Sequence, residues 1–296
     1  MIKQTPPAEV HITTHVVKQL LLEQYPDLAD LPLMAMGEGW DNVMYRLGEH
    51  LIIRLPRRQI AAQLMINEQK WLSYFAPKLP LAIPAPIRKG QPTHFYPWHW
   101  SVIPFVEGQT ANIDVPHLNQ SIVFAKFLKT LHQVAPLDAP INSYRGISIK
   151  VRAKDVEPRL LSLKHKTNLI TPTLKKIWSR ALKAPEAEDN LWVHGDLHPK
   201  NILVNNGKIV SVIDWGDLTS GDVASDLASI WMLFDTFSKR KAFILHYQPT
   251  PDLLARAKGW AIFYGTILLD IGLADDEEFA TIGRQTLERL IEDETR

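Results

Sequence analysis

The spacing of apolar positions changes character along the chain. Residues 15–25 carry Val16, Val17, Leu20, Leu21 and Leu22 at helical spacing, which predicts a short helix. Three short runs rich in strand formers follow, at 31–36, 43–47 and 51–55. Gly37-Glu38-Gly39 and Gly48-Glu49-His50 separate them, as hairpin turns would. Residues 60–75 return to helical spacing, with Leu64, Trp71, Leu72 and Phe75 on or near one face. Residues 83–87 and 98–103 read as two further strands. Together these predict a small antiparallel sheet with one helix packed on it.

Pro104-Phe105-Val106-Glu107-Gly108 interrupts the pattern. Proline lacks a donor and glycine admits unusual dihedrals, so regular structure is expected to stop there. Beyond it, helical spacing dominates, at 115–134, 156–166 and 174–184. Residues 191–193 lead into a polar loop, and 203–204 and 209–213 flank the hairpin signal Asn205-Asn206-Gly207. Residues 222–237 and 251–273 read as strongly apolar helices, the second opened by Thr250-Pro251, and 277–290 as a last helix. Strands first and helices afterwards predict an α+β chain of two lobes around a cleft. The expected division is an N-terminal lobe at 1–103, a hinge at 104–108, and a C-terminal lobe at 109–296.

Composition adds exclusions. The 296 residues are 46% hydrophobic and 22% charged, with a formal net charge of +1. Such a balance gives no overall attraction to nucleic acid or to a membrane surface. There is no cysteine, which excludes disulfides, thiolate metal sites and a cysteine nucleophile. The first residues, Met1-Ile-Lys-Gln-Thr-Pro-Pro, lack an apolar signal core. No uninterrupted apolar run approaches the ~18 residues of a membrane span. A soluble, cytoplasmic protein without a nucleic-acid or membrane partner is expected.

The chemistry concentrates in His194-Gly195-Asp196-Leu197-His198-Pro199-Lys200-Asn201, followed by Ile213-Asp214-Trp215-Gly216-Asp217. An Asp, four residues, an Asn, and a second Asp near the end of the next strand is the order protein kinases use for phosphoryl transfer. Here His-Gly-Asp stands for His-Arg-Asp, and Asp-Trp-Gly for Asp-Phe-Gly. A loop carboxylate at Asp196 can orient an attacking hydroxyl and accept its proton. Asn201 and Asp214 offer the hard oxygen ligands that Mg2+ prefers. His194 and His198 lie four apart, but Pro199 keeps them off one helical face and no third metal ligand is obvious.

This variant, with His198-Pro199 inside the loop, resembles the aminoglycoside phosphotransferase family of small-molecule kinases. The resemblance implies a bilobal, protein-kinase-like fold, with a small antiparallel-sheet N-lobe and a larger, mainly helical C-lobe. It also implies ATP or GTP as co-substrate, Mg2+ as cofactor, and a hydroxyl group of a small molecule as acceptor. Gly37, Gly39 and Asn42 then belong to a phosphate-approaching loop, although an ordinary hairpin explains them as well. Arg54 stands where protein kinases carry the phosphate-binding Lys, with Glu68 as its ion-pair partner. Ile103, Pro104 and Val106 frame the purine by position in the family. Asp222 reads as a helix cap, and Asp226 and His194 as braces of the catalytic loop.

The acceptor is the open question. Asp217, Trp231, Asp235, Trp260, Tyr264 and Asp270 are candidate lining residues, since carboxylates and aromatic faces suit a polycationic amino sugar. Plain core packing is the competing explanation of the aromatic ones. An aminoglycoside is the first expectation. A macrolide or a metabolic alcohol such as choline, an amino sugar or homoserine follows. The short segment from Asp214 to Asp226, without Ala-Pro-Glu after it, does not fit a protein kinase. If Arg54 cannot replace the usual Lys, a catalytically silent nucleotide-binding pseudokinase becomes the alternative. A hydrolase with an Asp nucleophile is a third option.

Overall fold

The computed structural model describes residues 7–296. The absence of a signal core was read largely from residues 1–6, which lie outside that range. The chain forms two compact units, divided between Glu107 and Gly108; Val212–Gly216 belongs with the first unit.

In the first unit, α1 (Thr14–Gln24) is capped by the Thr13 hydroxyl, which accepts from the Val16 amide. Then come β1 (Leu33–Glu38), β2 (Asn42–Leu47) and β3 (Leu51–Pro56), joined by short turns. They are followed by α2 (Gln59–Phe75), β4 (Arg88–Gly90) and β5 (Trp100–Pro104). The sheet is antiparallel throughout, in the order β1-β2-β3-β5-β4. Val17, Leu20 and Leu21 of α1 join Tyr45, Leu47, Ile53, Leu55, Trp100 and Val102 in one apolar core. Helix α2 turns a mixed face inward: Met65, Leu72 and Phe75 are buried, and so are Glu68 and Gln69.

The strand expected at 83–87 is absent. Pro84 and Pro86 have no amide hydrogen and cannot hold a ladder, so only the Ile87 amide reaches the Val102 carbonyl and pairing begins at Arg88.

The second unit opens with β6 (Gln109–Thr110), α3 (Gln120–Leu131), α4 (Ala153–Lys164) and α5 (Pro172–Lys183). Strands β7 (Leu191–Val193), β8 (Ile202–Asn205), β9 (Lys208–Val212) and β10 (Thr219–Gly221) form two small sheets, β6-β8-β9 and β10-β7. Helices α6 (Ala224–Leu227), α7 (Ser229–Leu233), α8 (Phe237–Tyr247), α9 (Pro251–Asp275) and α10 (Glu277–Thr295) complete it. Helix α9 is the spine, packed against α4, α5, α6 and α10. Its approach to α10 is close because Gly272 and Gly283 carry no side chain. A Cβ at Gly272 would lie 2.1 Å from the Ala280 nitrogen, and one at Gly283 2.4 Å from that of Leu269. By length and composition α9 is apolar enough to cross a membrane, and 61% of its most apolar window is buried within the protein.

Two helical expectations need correction. The helix expected over 115–134 spans only Gln120–Leu131, because Pro116 and a turn through His117 precede it. The helix expected over 222–237 is two short pieces, ended by Phe234 in an extended conformation. An apolar run with no polar face carries no stop signal in its spacing. Helix α8 then starts afresh from Thr236, whose hydroxyl accepts from the Lys239 amide.

Candidate active site

The loop after β7 is built around one buried carboxylate. Asp226 has no solvent exposure. Its oxygens accept from the amides of His194 at 2.7 Å and Gly195 at 2.9 Å, and His132 Nε2 lies 3.2 Å away. Gly195 sits at φ +92°, where a Cβ would come within 2.5 Å of the Asp217 carbonyl, so only glycine fits. The Nδ1 atoms of His194 and His198 accept from the amides of Asp196 and Lys200. Both imidazoles are thus committed to shaping the loop. Asp196 and Asn201 come together: the Asn201 side-chain nitrogen donates to the Asp196 carbonyl at 2.9 Å and to its carboxylate at 3.1 Å. That commitment leaves the Asn201 amide oxygen as the atom on offer to a cation.

The residue not anticipated is Arg145. Its Nη2 donates to Asp196 at 3.1 Å and its Nε to Asp217 at 3.0 Å, while Asn142 donates to the other Asp217 oxygen at 2.9 Å. Burial alone would raise the Asp196 pKa. The hydrogen bond and charge of His198, with the charges of Arg145 and His194, instead hold it well below the ordinary carboxylate range. Asp196 is therefore ionised at neutral pH. Burial by itself would weaken Arg145 as a cation, but Tyr264, Asp196 and Asp217 hold its pKa above the usual arginine value. Tyr264 is pushed up chiefly by burial and donates to the Gly195 carbonyl at 3.1 Å. Arg145→Ala should raise the Asp196 pKa toward the ordinary carboxylate range, so that the acid limb of kcat/KM moves upward in a profile carried down to about pH 3. An unmoved acid limb would show that Arg145 does not tune this carboxyl.

In the first unit, Arg54 and Glu68 form a buried two-point pair, at 2.5 and 3.2 Å. Burial opposes the Arg54 charge, but Glu68, Asp214 and Asp41 more than offset it and raise its pKa. Asp214 occupies the left-handed region at φ +61°, uncommon for a residue with a side chain and frequent at functional sites. A Cβ at Gly216 would lie 3.7 Å from an Asp214 oxygen and 4.0 Å from one of Glu68, so these two carboxylates are neighbours.

The loop from Gly37 to Asn42 is a tight hairpin, with the Gly39 amide donating to the Asn42 carbonyl at 2.8 Å. Two further arginines hold it. Arg57 bonds the Gly39 carbonyl and pairs with Glu38 at 2.8 Å, and Arg58 pairs with Asp41. Asn42 Oδ1 is buried without a hydrogen-bond partner among the described residues. Ile103 is buried, Pro104 ends β5 opposite Leu51, and Val106 follows two residues later.

The expected acceptor residues scatter. Asp217 and Tyr264 belong to the neighbourhood of Asp196 just described. Trp231 and Trp260 are fully buried, Trp231 bonded to Asp293 and Trp260 packed on Phe263 and Tyr264. Neither presents a surface to a ligand, which corrects the lining role expected of them. Asp270 pairs with Lys166 at 2.9 Å. Asp235 lies on a separate cavity of about 540 Å³, together with Glu277, Glu278 and Pro199.

Residues 33–260 match the model of the phosphotransferase enzyme family, designated APH. The chain belongs to this family. Among relatives of this family member, an aminoglycoside 3'-phosphotransferase of Escherichia coli is 24% identical over 164 residues. That match takes in 52% of this chain and 60% of the relative, so the chain spans about 60% of the length of the curated relatives it matches. A solved complex of APH(2″)-IIia with GDP and kanamycin has the same fold. Its TM-score is 0.65 at 18% identity, over 95% of this chain and 99% of that one. A macrolide 2'-phosphotransferase type I superposes with a TM-score of 0.59 at 19% identity, over 93% of this chain and 98% of that one. The α+β architecture, with an antiparallel sheet in the N-terminal region and helices in the C-terminal region, is that of these kinase-like structures.

Proposed function

We propose that this phosphotransferase moves the γ-phosphate of ATP or GTP to a hydroxyl of a small molecule. The observation that carries the reading is the ionised Asp196, held at a stated orientation by Arg145, His198 and Asn201 in a chain of this family. The acceptor oxygen would form the new bond to phosphorus as the bond to the nucleoside diphosphate breaks, and its proton would pass to Asp196. In the first unit, Arg54, fixed by Glu68, supplies positive charge for phosphate oxygens, and Gly37 and Gly39 let backbone amides approach them. The Asn42 side-chain amide, whose nitrogen can donate to a phosphate oxygen, and the purine-framing Ile103, Pro104 carbonyl and Val106 amide complete the nucleotide role.

The Asn201 oxygen in the second unit and the Asp214 carboxylate in the first each have the hard-ligand chemistry that a magnesium ion takes. Mg2+ taken up with the nucleotide would neutralise charge on the terminal phosphates. A cytoplasmic setting, where nucleoside triphosphates are abundant, goes with this reading.

An aminoglycoside is the first acceptor to try, because the curated relatives carry that name; macrolides follow from the macrolide 2'-phosphotransferase. Mass spectrometry after incubation with Mg-ATP or Mg-GTP and kanamycin, a macrolide or amino alcohols should show one added phosphoryl group. Nucleotide binding without any turnover would favour a silent member of the family, the reading that Arg54 in place of Lys keeps alive. Failure to bind either nucleotide would sink both.

A further inference from the structure

We infer that the acceptor carries an anionic group, seated in an arginine-lined cavity of the second unit beside Asp196. The inference rests on the phosphotransfer reading and departs from its first acceptor: in place of a polycationic aminoglycoside it names an anionic substrate class. The cavity measures about 480 Å³ and has Arg145, Arg152, Arg159, Tyr144, Phe263 and Ile267 in its wall. Asp155 and Asp217 also line it. Arg145 and Asp217 connect it to the catalytic carboxylate, since Arg145 bridges Asp196 and Asp217. A hydroxyl reaching Asp196 from this side brings the rest of its molecule among guanidinium groups.

Two of those groups are short of partners. Arg152 is buried, and its Nε has no hydrogen-bond partner among the described residues. Its other nitrogens reach Asp155 at 3.0 Å and the Tyr144 carbonyl at 2.5 Å, and its plane stands 5.1 Å from the Phe263 ring. The Nη1 of Arg159 is likewise buried and unpartnered, and the nearest carboxylate oxygen, on Asp270, is 4.0 Å from its Nε. Asp270 is itself shared with Lys166. Burial lowers the Arg159 pKa more than Asp270 and Asp155 restore it, so its charge is under-compensated. An unpaired buried guanidinium nitrogen is costly, and a small rotation of either side chain toward an oxyanion in the cavity that both residues line would relieve that cost. The sequence around the cavity agrees: from Arg145 to Lys166 there are seven Lys and Arg against two Asp and Glu.

The acidic cavity near Pro199 does not offset this. Its Asp235 pairs with Lys239 at 2.7 Å and its Glu278 with Lys200 at 2.6 Å, and Arg289 is in its wall. Most of its negative charge is therefore already balanced within the fold. The apolar faces of Phe263 and Ile267 beside the arginines suit a hydroxylated molecule with a compact apolar body and one carboxylate or phosphate.

The test compares matched probes on the full chain. Calorimetry would measure binding of 4-hydroxyphenylacetate and glycerate, of their carboxamides, of glucose 6-phosphate and glucose, and of kanamycin, with Mg-ATP absent and present. A carboxylate or the phosphate ester should bind at least about tenfold more tightly than its neutral counterpart. Carboxylates and phosphate esters are separate arms, so the preferred oxyanion is read directly. Arg159→Gln should erase that preference and Arg159→Lys should keep much of it, whereas a merely structural Arg159 would leave the anion-to-amide ratio unchanged. Equal binding of charged and neutral probes, or preference for kanamycin, overturns the inference and leaves the phosphotransfer reading intact. Anion preference with no phosphoryl transfer to any probe would instead support the seat and count against the transfer reading.

Discussion

Replacing Asp196 by Asn is expected to lower kcat by about 10²–10⁴-fold, the range for removing a positioned general base. Mg-nucleotide affinity should stay within about twofold, a change of about 0.4 kcal/mol that is small against a whole binding energy. The substitution is nearly isosteric, so the loop bonds to Asn201 and His198 can be kept in altered form. What disappears is the negative charge that Arg145 and His198 hold in place, and with it the proton acceptor. Single-turnover transfer and nucleotide titration on the same preparation measure the two quantities. A variant retaining more than about a tenth of wild-type kcat would remove Asp196 from the role of base. The same electrostatics set a stability trend. A carboxyl whose pKa is depressed on folding contributes stability above its unfolded value, and that contribution is lost only as the pH falls toward the folded one. For Asp196 the window lies at and below the ordinary carboxylate range.

The second large effect is structural. Asp226→Ala should destabilise the second unit by about 3–5 kcal/mol, as when one partner of a buried charged network is removed. The amides of His194 and Gly195 and the ring of His132 would lose the acceptor they share. His132 would keep only Tyr247, at 2.7 Å from its Nδ1. Thermal unfolding should fall by about 2–4 °C per kcal/mol for a unit of this size. Asp226→Asn, which keeps one acceptor oxygen, should fall less. Wild-type melting in Asp226→Ala would mean that the loop finds other partners, and the account of its bracing would be wrong.

The two expectations differ in how far each site was legible in the chain. The loop from His194 to Asn201 is local: Asp196 meets Asn201 across five positions, and the polar run between two strand patterns marks it. The hairpins of β1, β2 and β3 are equally local, announced by Gly37, Gly39 and Gly48. The Arg54–Glu68 pair was readable because a strand and the next helix supply both members. Arg145 left no such trace. It lies in an aperiodic stretch 51 positions before Asp196, and nothing in its neighbours distinguishes it from a solvated arginine. Arg57 and Arg58 directly follow a strand that was recognised, yet their grip on the Gly37–Asn42 hairpin depends on how that hairpin folds back.

Aromatic residues were the least informative. Trp231 and Trp260 have the chemistry of a binding surface and the burial of a core, and side-chain type cannot separate the two. The apolar run 222–237 failed for a related reason, since a helix buried on all sides has no periodic polar face to mark where it ends.

The chain alone determined the order of chemistry-bearing residues, the turn positions and the change from strand to helical spacing. These arise from interactions within a few positions, where residue type dictates geometry. The fold decided which charges face one another: Arg145 on Asp196, Asp226 beneath the loop, and Arg152 and Arg159 around one cavity with nitrogens unpaired. Those pairings join positions far apart in sequence. Desolvation in the packed interior, which gives them their strength, exists only once the chain has collapsed.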